Sequence, residues 1–226
     1  MSQQTVKLIS LTKGCGELEN LNAEQLIAYA ARVSNPQNQD NHESGPKLLK
    51  YCIKHQHWSI FETANMCLEV VTSRAIAAQI LRHRSFSFQE FSQRYASSTN
   101  FITFDARRQD LKNKQNSIDD MSEDTKNWFL QAQDLVETNA THLYNEALEK
   151  GIAKEQARCL LPLSTETTLY MNGSIRSWMH YIGTRSDVST QLEHRQIALM
   201  AKDIFIKELP TISAALEWTN ISENKA

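Results

Sequence analysis

Residues 82–95 constrain the fold of this chain most strongly, because they interleave cations with aromatic rings. Arg82, Arg84 and Arg94 lie within thirteen residues, and guanidinium groups repel one another unless an anion or carboxylates lie among them. Arginine also offers the planar pair of donors that phosphate and carboxylate groups need. A solvated basic helix end is the simpler alternative, but three phenylalanines interrupt the charges: Phe86, Phe88 and Phe91. We therefore interpret this stretch as the wall of an anion pocket.

The size and charge of the chain bound the possible classes. With 226 residues, 41% of them hydrophobic, we expect a single domain over residues 1–226. A net charge of -2 argues against general nucleic-acid binding. Four scattered cysteines without a CxxC pair predict reduced thiols and a cytoplasmic location. We find no secretion signal and no apolar run long enough for a membrane span.

Periodicity and capping residues predict an α/β (α+β) arrangement. Strands are expected at 6–10, 63–72 and 165–171. A first helix is expected at 22–33, with Leu26, Ala30 and Val33 on one face, and a second helix begins at Pro46. A third is expected at 74–84 after a Ser73 cap, and a long one at 123–150 before Gly151. A short helix ends at Pro162, and two more are expected at 174–184 and 190–209. The polar segment 105–127 is either a mobile lid or a surface insertion.

Several polar residues admit alternative roles. His55 and His57 with Glu62 suggest a metal site only weakly, since zinc needs three or four ligands, and His57 can instead bond a planar ligand. Cys159 follows Arg158, but adjacent helical residues point about 100° apart, so we expect Cys159 to pack inward. Ser92 lacks a nucleophile elbow, and we expect it to bond an anion.

The C-terminal part carries further cations. Arg176 and His180 share a helix face, and Arg185 follows at the helix exit. Together with the earlier segments they give five arginines for one pocket: Arg82, Arg94, Arg158, Arg176 and Arg185. A nucleotide monophosphate with a large phosphate-bearing cofactor would need about that many.

Ordered motifs then connect these residues. Arg82-His83-Arg84 is followed after seven residues by Ser92. Further blocks are Ala31-Arg32-Val33-Ser34, His57-x-Ser59-x-x-Glu62, Glu90-x-Ser92-x-Arg94-Tyr95, Ala157-Arg158-x-x-Leu161-Pro162, Arg176-Ser177, and 185–195 with Gln191 and Glu193. This set resembles the signature of the flavin-dependent thymidylate synthases, a class unrelated to the cysteine-based enzyme.

The resemblance implies a homotetramer whose protomers pair a mostly antiparallel sheet with several helices, and whose active sites lie between subunits. It implies FAD as cofactor, dUMP as methyl acceptor, 5,10-methylenetetrahydrofolate as one-carbon donor and NADPH as electron source. Nucleotide contacts are implied for Gln79, Arg82, Glu90, Phe91, Ser92, Gln93, Arg94, Arg158 and Arg185. Flavin contacts are implied for Ser34, His57, Ser59, Glu62, Arg82, His83, Arg84, Glu90, Ser174, Ile175, Arg176 and His180. Ser174, His180 and Gln93 depart from residues that many members carry there.

The resemblance makes Arg185 the catalytic residue. Uracil C5 is a poor nucleophile, and a fixed cation beside the imide favours its N3-deprotonated form and enriches C5. Two rival classes stay open. One is a flavin- or nucleotide-binding protein of the same fold without turnover, and the other is an RNA-binding module whose phenylalanines stack on bases.

Overall fold

Two long antiparallel strands, β2 (Asn65–Ser73) and β6 (Glu166–Ser174), form the centre of this computed structural model, which describes residues 3–218. They pair in register from Asn65 opposite Ser174 to Ser73 opposite Glu166. β1 (Thr5–Leu11) lies beside β2, and β3 (Ser87–Glu90) lies beside β6. All neighbours in this four-stranded sheet are antiparallel, as the predicted fold class requires.

Each central strand continues directly into a helix that a serine caps. Ser73 accepts a hydrogen bond from the Ile76 amide at the start of α3 (Arg74–Ile80). Ser174 accepts one from the Ser177 amide at the start of α6 (Ile175–Arg185). Such caps satisfy amides that have no partner within the helix. Because β2 and β6 are antiparallel, α3 and α6 leave the sheet at opposite ends.

The core lies between one face of the sheet and the surrounding helices. These helices are α1 (Ala23–Ala31), α2 (Gly45–Lys54), α7 (Leu192–Glu208) and α8 (Pro210–Ala215), with 3-10 turns at Gly16–Leu18, Pro36–Asn38, His42–Ser44 and Trp58–Glu62. Its largest fully buried side chains include Trp178, Tyr181, Phe61 and Phe205. Burying each such ring stabilises the fold by about 1.5–3 kcal/mol. Gly173 is part of this packing, because a Cβ there would collide with the Phe86 ring.

The helix α4 (Glu123–Glu149) stands apart from the main core. Its C-terminal half packs on α5 (Lys154–Ala157) through a small separate cluster of Tyr144, Ala147 and Ala157. Gly151, with φ +81°, ends the helix where a residue with a Cβ would be strained. Five large apolar side chains on α4 are exposed: Leu130, and a group of four formed by Trp128, Leu135, Val136 and Leu143. Counted from Trp128, the other three residues of this group follow after seven, eight and fifteen residues, which places all four on one stripe of the helix.

The polar segment 105–127 contains a small hairpin formed by β4 (Arg108–Gln109) and β5 (Ser117–Ile118). Arg107 donates to Ser117, and Arg108 pairs with Asp120 across 2.6 Å. The hairpin therefore has internal structure of its own. Its role as a lid or as an inert insertion stays a prediction.

Some sequence-based expectations were wrong in detail. Helix α3 ends at Ile80 rather than continuing to Arg84, so Arg84 does not stack on it. Helix α1 ends at Ala31, which leaves Val33 beyond the cap and 71% exposed. The strand β3 and the helix α8 were not predicted. Within residues 3–218, no helix combines the length and apolar character needed to cross a bilayer.

Candidate active site

Arg185, the last residue of α6, meets His83 in the turn that follows α3. Its Nε–H donates to Nε2 of His83 over 3.0 Å. The edge of the His83 ring packs against Tyr181, with centroids 4.9 Å apart and planes at 82°. Burial first, and then Arg185 and His180, lower the pKa of His83 to about 4. His83 is therefore a neutral acceptor that holds the Arg185 guanidinium in place.

Gln79, at the end of α3, belongs to a chain of hydrogen bonds. Its Nε2 donates to Oε1 of Gln191 over 2.7 Å, and Nε2 of Gln191 donates to Oε2 of Glu193 over 2.8 Å. Oε1 of Gln79 lies 3.3 Å from Nδ1 of His194, and Nε2 of His194 lies 3.1 Å from the Tyr181 hydroxyl. Sequence reasoning missed Tyr181 and His194. The sequence did offer one signal for His194. It stands at helical spacing before Ile197, Ala198 and Ala201, which the structure buries.

A second group of cations surrounds Glu155. Nε of Arg94 lies 3.2 Å from the Glu155 carboxylate, and Nε of Arg158 donates to the Glu155 carbonyl over 3.2 Å. Ser92 accepts from the Arg94 amide over 3.3 Å. The Arg94 and Glu155 side chains are 60% and 47% exposed, so their ion pair is open to exchange with a solution anion. The structure thus brings together three predicted nucleotide contacts.

Glu90 and Gln93 lie next to this second group. Glu90 accepts from Arg74 over 3.1 Å and from the Thr167 hydroxyl over 2.9 Å, so within one protomer its carboxylate is already engaged. Arg74, which sequence reasoning missed, also donates to the Phe91 carbonyl. Gln93 is buried, and its Nε2 has no hydrogen-bond partner among residues 3–218. A buried amide without a partner is costly, and a ligand atom would satisfy it.

The two groups lie at opposite ends of β3. Exposed Arg82 and Arg84 precede this strand with His83, whereas Ser92 and Arg94 follow it. Four strand residues span about 13 Å. Within one protomer the length of β3 therefore separates the backbone of Arg82 and His83 from that of Ser92 and Arg94.

A cleft of about 580 Å³ opens beside the start of α6, within the usual size range of ligand pockets. Its lining comprises Trp58, Glu62, Ser85, Arg176, Ser177, Met179, His180 and Leu216. Arg176 pairs with Glu62 across 3.0 Å. Three predicted flavin contacts, Glu62, Arg176 and His180, thus line one cavity with an apolar wall.

Other predicted flavin contacts are placed differently. Ser174 and Ile175 are buried beneath the start of α6, and the Ser174 hydroxyl is engaged as the helix cap. Ser34, His57 and Ser59 are exposed, and they do not line the cleft. Within the part of the chain described, no three His, Cys, Asp or Glu side chains are grouped to hold a metal ion.

Cys159 is exposed, and the expectation that it packs inward was wrong. It lies in a 3-10 turn (Arg158–Leu160) rather than in an α-helix. In a 3-10 turn successive side chains are about 120° apart, so the α-helical argument does not apply. Arg158 is half-buried.

Comparison with known proteins gives concordant matches. The family model Thy1, described as thymidylate synthase complementing protein, matches residues 18–211. The chain is 59% identical to the flavin-dependent thymidylate synthase of a Synechocystis species, covering 94% of this chain and 99% of the relative. It is also 59% identical to a probable flavin-dependent thymidylate synthase of Paramecium bursaria Chlorella virus 1, with coverage of 95% and 99%. A UMP/dUMP methylase, PolB from Streptomyces cacaoi bound with 5-Br dUMP, superposes with a TM-score of 0.81 at 25% identity over 98% of each chain.

Proposed function

Because this chain belongs to the family of flavin-dependent thymidylate synthases, we propose that it methylates C5 of dUMP to give dTMP. The observation that carries this proposal is the Arg185 cation held by a neutral His83 at the end of α6. Of the three guanidinium nitrogens of Arg185, only Nε makes a hydrogen bond to another residue within 3–218. The two terminal nitrogens are left for a ligand, and both donate, so they match an oxygen and N3 of a deprotonated uracil imide, which both accept.

Arg185 has an electrostatic role in this mechanism. Uracil C5 attacks a one-carbon donor poorly while the imide is neutral. A guanidinium beside N3 favours the deprotonated imide, whose charge extends to C5 through the ring. A preorganised cation of this kind lowers a barrier by several kcal/mol. Arg185 needs no base of its own, because arginine stays protonated throughout.

The cleft beside α6 fits FAD. Trp58, Met179 and Leu216 offer an apolar wall for a flat ring, and Arg176 offers a cation for the pyrophosphate. Glu62 and His180 add polar contacts. When bound, FAD reduced by NADPH supplies the hydride that completes the methyl group. The 5,10-methylenetetrahydrofolate therefore donates only its carbon and leaves as tetrahydrofolate.

The proposed binding site for the nucleotide phosphate consists of Ser92, Arg94 and Arg158. The phosphate would replace Glu155 as the partner of Arg94. Since β3 separates this group from Arg185, we propose that each site combines the two groups from different protomers. The exposed stripe on α4 supports self-association, because water-exposed Leu135, Val136 and Leu143 favour burial against a second copy. We propose a homotetramer.

The remaining proposals concern location and partners. All four cysteines are free thiols, which supports a reducing cytoplasmic setting. The substrates are small molecules, and we propose neither a nucleic-acid nor a membrane partner.

Tritium release from C5-labelled dUMP tests this function directly. With methylenetetrahydrofolate, NADPH and FAD-loaded protein, we expect release coupled to formation of dTMP. Omitting the folate is the control, since C5 then has no carbon to attack. A yellow, FAD-bound protein that binds dUMP but never forms dTMP would instead be a binding protein of the same fold.

A further inference from the structure

The hydrogen-bond chain from Tyr181 to Glu193 has only one consistent direction. A carboxylate only accepts, so Gln191 donates its amide to Glu193 and accepts at Oε1 from Gln79. Oε1 of Gln79 must then accept from Nδ1–H of His194. An imidazole protonated at Nδ1 has its lone pair on Nε2, where it accepts the Tyr181 hydroxyl.

Burial keeps this direction fixed at physiological pH. His194 is 1% exposed, and Tyr181 is fully buried. Burial first, and then Arg185 and His83, lower the pKa of His194 to about 4. Burial also raises the pKa of the Tyr181 phenol. Both groups therefore stay neutral, and His194 keeps the Nδ1-protonated tautomer that the chain of bonds from Glu193 requires.

This direction determines how the side-chain amide of Gln79 is oriented. Gln79 is half-buried at the end of α3. A glutamine amide can rotate by 180° and exchange its oxygen with its nitrogen at little steric cost. At Gln79 this rotation would turn the amide NH₂ toward the N–H of His194 and two donors would face each other. His194 on one side and Gln191 on the other therefore select the same one of the two amide orientations.

We propose that His194 is a positioning residue that fixes the Gln79 amide, so that one set of donor and acceptor atoms always faces dUMP. This inference rests on the proposed function, in which Gln79 contacts the nucleotide. His194 itself does not touch the substrate. Its effect is expected on the binding of dUMP rather than on the chemical step.

Two substitutions separate the two ring nitrogens of His194. Asparagine places its amide close to the position of Nδ1, so His194→Asn keeps a donor for Gln79 and loses the acceptor for Tyr181. Glutamine places its amide close to Nε2, so His194→Gln keeps the acceptor for Tyr181 and loses the donor for Gln79. A purely structural role would not distinguish these variants by their affinity for dUMP.

The FAD-loaded enzyme provides the test, by calorimetric Kd and by KM for dUMP. We expect both constants to rise about fivefold to tenfold in His194→Gln, the loss of one neutral hydrogen bond. We expect His194→Asn to stay within about twofold of the parent enzyme, with kcat little changed in both variants. In a Gln79→Ala background, His194→Gln should add nothing further.

Equal dUMP affinities in the two variants, or independent effects of His194→Gln and Gln79→Ala, would overturn the positioning role. A parent enzyme that neither binds dUMP nor forms dTMP would refute the proposed function itself. The two failures are therefore distinguishable.

Discussion

Nε of Arg185 donates to Nε2 of His83 over 3.0 Å, which ties the end of α6 to the turn after α3. The bond uses the inner nitrogen of the guanidinium and leaves its planar outer edge available.

Replacing Arg185 by alanine removes the proposed activating cation. We expect kcat for dTMP formation to fall about 10²–10³-fold, as for loss of one preorganised electrostatic group. Flavin absorbance should remain, because Arg185 lies outside the lining of the cleft beside α6. Arg185→Lys keeps the charge without the planar fork and should recover part of the rate. Equal loss of rate and flavin would make Arg185 a structural residue.

Stability should decrease as the pH falls from about 6.5 to about 4. Over this range the unfolded chain protonates His83 and His194, whereas the folded chain keeps them neutral. Each histidine adds a slope of at most about 1.4 kcal/mol per pH unit, and solvent screening reduces the share of half-buried His83. The titratable groups facing them are Arg185, His180 and Tyr181, and the two histidine rings also face each other with centroids 6.2 Å apart.

Urea unfolding at pH 7, 6 and 5 measures this slope. His194→Asn should flatten it, whereas His142→Asn should not, because the His142 side chain is 77% exposed. An unchanged slope in His194→Asn would contradict the prediction.

Arg176→Ala should weaken FAD retention about tenfold while hardly changing stability. The pair of Arg176 with Glu62 is half-exposed and contributes about 0–1 kcal/mol to folding. Loss of the Arg176 side chain therefore mainly weakens the binding of FAD through its pyrophosphate. Flavin absorbance after gel filtration and the urea midpoint measure the two effects. Arg108→Ala breaks a similarly exposed pair with Asp120 and should leave flavin binding unchanged.

Leu135→Glu places a charge in the exposed stripe of α4. We expect the dissociation constant of the proposed homotetramer to rise more than about tenfold, because the carboxylate would lose its hydration if the stripe is buried against a second copy. Light scattering after size exclusion measures the mass. Asn145→Glu, on the exposed face away from the stripe, is the matched control. Parallel behaviour of the two variants would exclude α4 from the interface.

Cys159→Ser should keep turnover within about twofold of the parent enzyme, because the mechanism assigns no role to a thiol. The exposed Cys159 should also react with iodoacetamide without loss of activity. Complete loss of tritium release with FAD still bound would restore the thiol as a nucleophile.

Signals that act within a few residues predicted the structure well. Ser73 caps the start of α3, and Gly151 ends α4, as the sequence predicted. These residues satisfy backbone groups of their own helix, so they need no information about distant packing. The predicted strands were confirmed for the same reason, since alternation reports a half-buried surface.

Features that depend on three-dimensional placement were less predictable. Arg84 and Arg94 are close in sequence, yet they lie at opposite ends of the strand β3, which extends between them. The partnership of Tyr181 with His194 joins two helices, and no local pattern encodes it. The cleft beside α6 combines Trp58, Arg176 and Leu216 from three separated segments, of which only Arg176 was expected.

The length of β3 has a consequence for the behaviour of the enzyme in solution. If a single dUMP molecule needs the groups at both ends of this strand, an intact, fully folded monomer is inert. Dilution alone would then silence catalysis, and chains with a defect at either end could complement each other in mixed oligomers.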